Sequence, residues 1–216
     1  MTKRIPHQEE AINGNNLVET YAREHEENSQ SHFSAFLNDL EKLNPRGRFL
    51  EIGSGPGFLT ALVAEKYPQS TIVALEPSKE MIDYAKTFRK TKGLDNRIEF
   101  VQGSIDDETK VKKLGQFDLV YSTFSLHHWT NPQQAWRMIS KTVKSSGTIF
   151  IHDLKRVSWL YHLPFKNGFF ESIRAAYIPR EIGYMLKYAG IRNYKIKTPF
   201  PYFWMSIIAD KSHKTV

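Results

Sequence analysis

Phe49-Leu50-Glu51-Ile52-Gly53-Ser54-Gly55-Pro56-Gly57 decides how this chain folds. The first four residues read as a short apolar strand. A glycine-rich turn follows, and Phe58–Tyr67 continues as an apolar helix. Residues without side chains at 53 and 55 let the backbone turn sharply and come close to a ligand. The helix start behind them adds unpaired N–H groups. In an open α/β sheet such a turn lies at the carboxyl ends of the strands, where nucleotide-like ligands bind.

Glycine spacing separates two ligand classes. The dinucleotide fingerprint runs G-x-G-x-x-G. Here Phe58 holds the sixth place and the last glycine is Gly57, one residue early, while Glu51 stands two residues before the first glycine. This argues against an oxidoreductase using a nicotinamide dinucleotide. Glu76 ends the next apolar run, nineteen residues after Gly57. A carboxylate there can accept hydrogen bonds from both hydroxyls of a ribose.

Outward from this turn the pattern alternates. Strands are expected at Thr71–Leu75, Ile98–Val101, Phe117–Tyr121 and Thr148–Ile151. Helices are expected at Lys79–Lys90 behind the N-cap Ser78, at Asp106–Leu114, and at Pro132–Val143. Repeated strand–helix alternation predicts a parallel sheet covered on both faces. After a helix over Ile178–Ala189, two runs at Tyr194–Thr198 and Trp204–Ala209 stand close together and predict an antiparallel pair at the sheet edge. Before the turn, Phe33, Phe36, Leu37, Leu40 and Leu43 recur at helical spacing over His32–Leu43. Residues 1–30 read as a mobile polar lead-in with a turn at Asn13–Asn16 and one helix from Leu17.

Composition narrows the class. With 216 residues and 40% apolar content, the chain can bury one sizeable core, and no apolar run is long enough to cross a bilayer. The absence of cysteine excludes disulfides and thiolate metal sites, and a cytoplasmic location is the expectation. The net charge of +7 leaves a nucleic-acid partner open. Its lysines are scattered singly, though, which reads more simply as a solvated surface.

Several ordered motifs together resemble the class I S-adenosylmethionine-dependent methyltransferases, in their broad small-molecule group. They are F-L-E-I-G-S-G-P-G at 49–57, E-P-S-K-E-M-I-D-Y-A at 76–85, V-Q-G-S-I at 101–105, F-D-L-V-Y-S at 117–122 and S-L-H-H-W at 125–129. The resemblance covers about residues 33–153. It implies a Rossmann-like doubly wound sheet of seven strands, mostly parallel with an antiparallel C-terminal hairpin, in one domain over 31–216.

The resemblance also implies a site. Gly53, Ser54 and Gly55 would line the methionine part of S-adenosyl-L-methionine, with Glu51 organising that loop or the amino group. Glu76 would hold the ribose. Pro77 and Met81 would cover the adenine faces, Gly103, Ser104 and Ile105 would meet its edge, and Ser122 would sit beside the methionine chain. Many relatives have aspartate where this chain has Ser104, and Asp106 is a substitute acceptor.

The acceptor is less constrained. In-line displacement from a sulfonium needs positioning and water exclusion more than a dedicated catalytic group. His127 and Asp153 are the candidates for acid–base or positioning work. Adjacent His127 and His128 point in different directions and no third residue stands at ligand spacing, so no metal is expected. The aromatic-rich segment 154–178 is read as a substrate lid, helped by the N-terminal helix carrying Tyr21; Arg156, Arg174 and Arg180 nearby could contact an anionic acceptor, though each reads more simply as solvated surface. A small-molecule acceptor is the favoured partner. The alternatives are an RNA methyltransferase, against which the N-P-P-Y-type signature is missing after the fourth strand, and a non-catalytic cofactor-binding protein.

Overall fold

A computed structural model describes residues 2–7, 14–165 and 167–211; Asn13 of the expected turn lies outside them. Seven strands form one sheet in the order β3-β2-β1-β4-β5-β7-β6. They are β1 (Arg48–Ile52), β2 (Thr71–Glu76), β3 (Ile98–Gln102), β4 (Phe117–Thr123), β5 (Val143–Leu154), β6 (Asn193–Lys197) and β7 (Trp204–Asp210). The first five are parallel, and β7 runs antiparallel to both β5 and β6. The expected doubly wound sheet with an antiparallel hairpin at its edge is what the chain forms.

Side-chain alternation along the strands divides the core in two. Leu50, Ile52, Val73, Leu75, Val120, Ile149 and Ile151 face one side. There they pack on α6 (Glu108–Lys113), α7 (Pro132–Thr142) and α10 (Pro179–Tyr188) through Val111, Trp136, Ile139, Ile182 and Leu186. Phe49, Ile72, Ala74, Leu119, Tyr121 and Phe150 face the other. There they meet α3 (Ser34–Leu43), α4 (Phe58–Lys66) and α5 (Lys79–Thr91) through Phe36, Leu40, Leu59, Ala64 and Ile82. The order reverses between β1 and β4, so a crevice opens outside their carboxyl ends.

Four sequence expectations need correction. The expected single helix from His32 is two: α2 (Ser29–His32) ends at Phe33, whose backbone leaves the helical region, and α3 starts after it. The apolar periodicity runs across this break, so spacing alone conceals it. β5 begins at Val143, not Thr148, because the polar stretch Lys144–Gly147 continues the strand past a shift in register against β4. The lead-in is docked: α1 (Asn15–Glu26) buries Val18 and Ala22, and the Ile5 N–H donates to the Arg174 carbonyl.

The fourth correction concerns the arginines. Residues 154–178 hold two short helices, α8 (Ser158–Tyr161) and α9 (Gly168–Ala175). Arg156 is buried and donates to the Ala176 carbonyl and to Glu181. Arg174 donates to the carbonyls of Tyr161, Leu163 and Phe165. Arg180 donates to the Tyr184 hydroxyl. The first two pin this segment internally, and all three are engaged within the chain. Among the described residues no helix is long and apolar enough to cross a membrane.

Candidate functional site

The turn between β1 and α4 is held in the left-handed region at each glycine, with φ of 71° at Gly53, 52° at Gly55 and 83° at Gly57. Only glycine adopts such a run without strain. Space demands it at Gly53 as well, since a Cβ there would lie 2.5 Å from Ser125 Oγ. At Gly55 a Cβ would meet nothing within 4 Å, so this position opens onto free space.

Each N–H of the turn has a protein acceptor. Gly53 and Ser54 donate to the Leu75 carbonyl at 2.8 and 3.4 Å, and Gly57 donates to the Ser54 carbonyl at 3.1 Å. Gly55 donates to Glu76 Oε2 at 2.9 Å. Residue 56 is proline and has no N–H. A pyrophosphate is ordinarily held by such backbone donors. In this turn the N–H groups of residues 53, 54, 55 and 57 are committed within the protein.

A cleft of about 100 Å³ opens against the turn. One wall is Glu51, Gly53, Ser54 and Gly55. The other carries Tyr21, His25, His32, Phe33, Thr123 and Phe124. Ser54 Oγ is buried without a hydrogen-bond partner among the described residues, a group awaiting a polar ligand. Glu51 is buried beneath the turn and accepts from the Tyr121 hydroxyl at 2.9 Å. Burial pushes its carboxyl up to about 8, against that hydrogen bond. Burial likewise raises Glu76, while the N–H groups of Ser78 and Gly55 hold it down. The orphaned hydroxyl, the open face at Gly55 and the two carboxyl groups suit an adenosyl amino acid.

The remaining expected residues distribute unevenly. Glu76 ends β2, and its Oε1 accepts from the Ser78 N–H at 3.0 Å. Pro77 follows it, and Met81 is buried in the first turn of α5, where Ser78 caps the helix through the Met81 N–H. Gly103 donates its N–H to the Glu76 carbonyl, which sets Gly103 and Ser104 beside β2. The Ile105 side chain lies in the core below. Ser122 is fully buried and donates to the Ile52 carbonyl at 2.7 Å, so it ties β4 to β1 and its neighbours Thr123 and Phe124 line the cleft instead.

His127 and Asp153 pair with each other away from the cleft walls. Asp153 accepts from the backbone and ring N–H groups of His127, at 3.0 and 2.6 Å, and from the Leu154 N–H. The fold also brings His7 beside His127 and His128, a third imidazole that sequence spacing did not offer.

Of the second cleft wall, sequence reasoning offered only Tyr21, as part of a lid. His25 and His32 lie on helices ahead of the recognisable motifs and were missed. Phe124 carries a stronger mark, a φ of 50°, uncommon for a bulky residue and seen most often at functional positions.

Residues 50–151 match the family described as a methyltransferase domain. The malonyl-[acyl-carrier protein] O-methyltransferase of Priestia megaterium (strain DSM 319 / IMG 1521) is 27% identical over 76% of this chain and 53% of its own length. The ubiquinone biosynthesis O-methyltransferase of Escherichia coli O7:K1 (strain IAI39 / ExPEC) is 30% identical over 52% of this chain and 46% of its own. The chain thus spans about half the length of these relatives. The fold matches the crystal structure of an S-adenosylmethionine-dependent methyltransferase from Clostridium acetobutylicum ATCC 824 with a TM-score of 0.67 and 13% identity, over 90% of this chain and 98% of that one. Motif order, sheet topology and family match agree: residues 50–151 match a methyltransferase domain, and the chain has the fold of S-adenosylmethionine-dependent methyltransferases.

Proposed function

We propose that this protein transfers the methyl group of S-adenosylmethionine to an oxygen atom of a planar small molecule. The observation that carries this reading is the partnerless buried Ser54 hydroxyl on the glycine turn, in a cleft that Tyr21, Phe33 and Phe124 also line. The two relatives described above are both named for oxygen methylation, which supports the choice of atom.

Glu51 and the Gly53–Gly55 backbone hold the amino-acid end of the cofactor, and the Ser54 hydroxyl gains its missing partner there. Glu76 takes the ribose hydroxyls, Pro77 and Met81 cover the adenine, and Gly103, Ser104 and Ile105 border its edge. When bound, the cofactor supplies a methyl group that is already electrophilic. Tyr21, Phe33 and Phe124 offer ring faces to the acceptor and exclude water. His32, beside Phe33 and Phe124, takes the acceptor proton. Desolvation and the neighbouring His25 lower its pKa, so it is neutral and able to accept at pH 7. No base would be needed for a neutral amine.

Incubation with isotope-labelled S-adenosylmethionine and, in parallel, a small-metabolite pool and total RNA tests the proposal by mass spectrometry. Labelled methyl ether or ester in the small-molecule fraction is expected. Label confined to RNA would reverse the acceptor class, and cofactor binding without label anywhere would favour a non-catalytic role.

A further inference from the structure

His7, His127 and His128 meet where the N-terminal segment crosses the turn after β4, the 3₁₀ segment Leu126–His128. One nitrogen from each lies within 4.8 Å of the other two. The rings of His7 and His128 stack at 4.3 Å, and those of His127 and His128 lie 4.2 Å apart. His7 stands 120 positions before His127, so its meeting with the adjacent pair is a product of tertiary structure.

We infer that the three imidazoles form a binding site for a divalent transition-metal ion of the zinc type, clipping the N-terminal segment to the β4–α7 connection. The ligand set suits such an ion, since imidazole binds zinc and its neighbours in preference to magnesium or calcium. His127 is prepared for the task. Its Nδ1–H donates to Asp153 at 2.6 Å, which fixes the tautomer and leaves Nε2 as the ligating atom. Metal-bound histidines ordinarily have such a carboxylate behind them.

A tetrahedral ion with bonds of about 2.0–2.1 Å wants its nitrogens about 3.4 Å apart. His7 and His128 are only partly buried, so small side-chain rotations can supply the closure. The segment is already anchored: Arg4 donates to the carbonyls of His127 and Ala175 and lies over the Tyr177 ring. Charges of both signs reach His7. Burial, His127 and Arg4 disfavour a positive charge on the ring, so His7 stays in the neutral form that ligates, while Glu171 and Asp153 favour a cation there. Three protein ligands leave one position for water, which permits a clip that exchanges.

Zinc titration into the untagged full chain, by competition with a chromophoric chelator, tests this directly and does not depend on activity. One ion per chain is expected, with a dissociation constant in the micromolar range or below. At a hundredfold excess over that constant the melting midpoint should rise by roughly 5–10 °C. His7→Gln and His128→Gln should each weaken binding at least tenfold and lose the rise, and magnesium should produce neither effect. Both variants change partly exposed side chains and should melt near the wild type without metal. Absent zinc binding in the wild type, or equal binding in the His7→Gln chain, would overturn the site. Either result would leave the methyl-transfer reading untouched.

Discussion

At the residue scale, Glu51 is the group under most tension. Burial raises its carboxyl from 4.5 to about 8. Between those values the folded chain keeps a proton that the unfolded chain has released, so ligand-free stability falls as pH climbs through that window. Glu51→Gln cannot lose the proton. Denaturant unfolding of both chains at pH 5 and pH 8 should show the wild type losing on the order of 4 kcal/mol more than the variant. Equal losses would mean that the buried carboxyl ionises freely.

His32 is the second case at this scale, and its role is kinetic. If it removes the acceptor proton, His32→Gln should lower kcat by roughly 10²–10⁴-fold. Cofactor affinity, measured by calorimetry, should stay within about threefold, since the glycine wall is intact. A loss of cofactor affinity with unchanged kcat would place His32 in binding alone.

At the scale of elements, Glu76 joins two turns that sequence distance separates. Its carboxylate accepts the Gly55 N–H of the β1–α4 turn and the Ser78 N–H at the start of α5. Glu76→Ala leaves both donors without that acceptor, and each lost partner costs about 1–3 kcal/mol when buried. The variant should fold with lowered stability and lose at least tenfold in cofactor affinity, read by calorimetry and thermal melting together. Glu76→Gln keeps one acceptor oxygen and should fall between the two.

This element level is also where the sequence was most readable. β1, the glycine turn and β2 announced themselves because a strand buried on both faces must be apolar throughout, and because left-handed backbone restricts residue choice. The acids at 51 and 76 followed from their place at strand ends. The second wall of the cleft did not. His25 and His32 reach it only because α1 and α2 dock over α5 and α4, a tertiary fact with no local signature. The same limit concealed His7, 120 residues from the histidine it meets. Ser122 was placed at the right strand end. Whether its hydroxyl faced a ligand or the neighbouring strand depended on β4 packing against β1, which no spacing reveals.

For the molecule as a whole, the two faces of the sheet carry separate duties. The α3–α4–α5 face supports the glycine turn, while the α6–α7–α10 face closes the second core, which reaches the turn through Trp129 and its hydrogen bond to Ser125. Trp136 on α7 is the largest fully buried side chain, and its indole N–H has no hydrogen-bond partner among the described residues. Two substitutions therefore part ways. Trp136→Ala leaves a cavity and should cost about 3–5 kcal/mol. In a chain of this size that lowers the melting midpoint by roughly 6–20 °C. Trp136→Phe also loses volume but removes an unpaired buried N–H, a group that costs about 1–3 kcal/mol to leave unsatisfied. It should thus cost less than half as much as the alanine change. Below both midpoints, calorimetry should give cofactor affinities within about threefold of the wild type, because the turn and both acids rest on the opposite face. A tenfold loss in either variant would show that the two faces are coupled and that this core shapes the ligand cleft through the sheet.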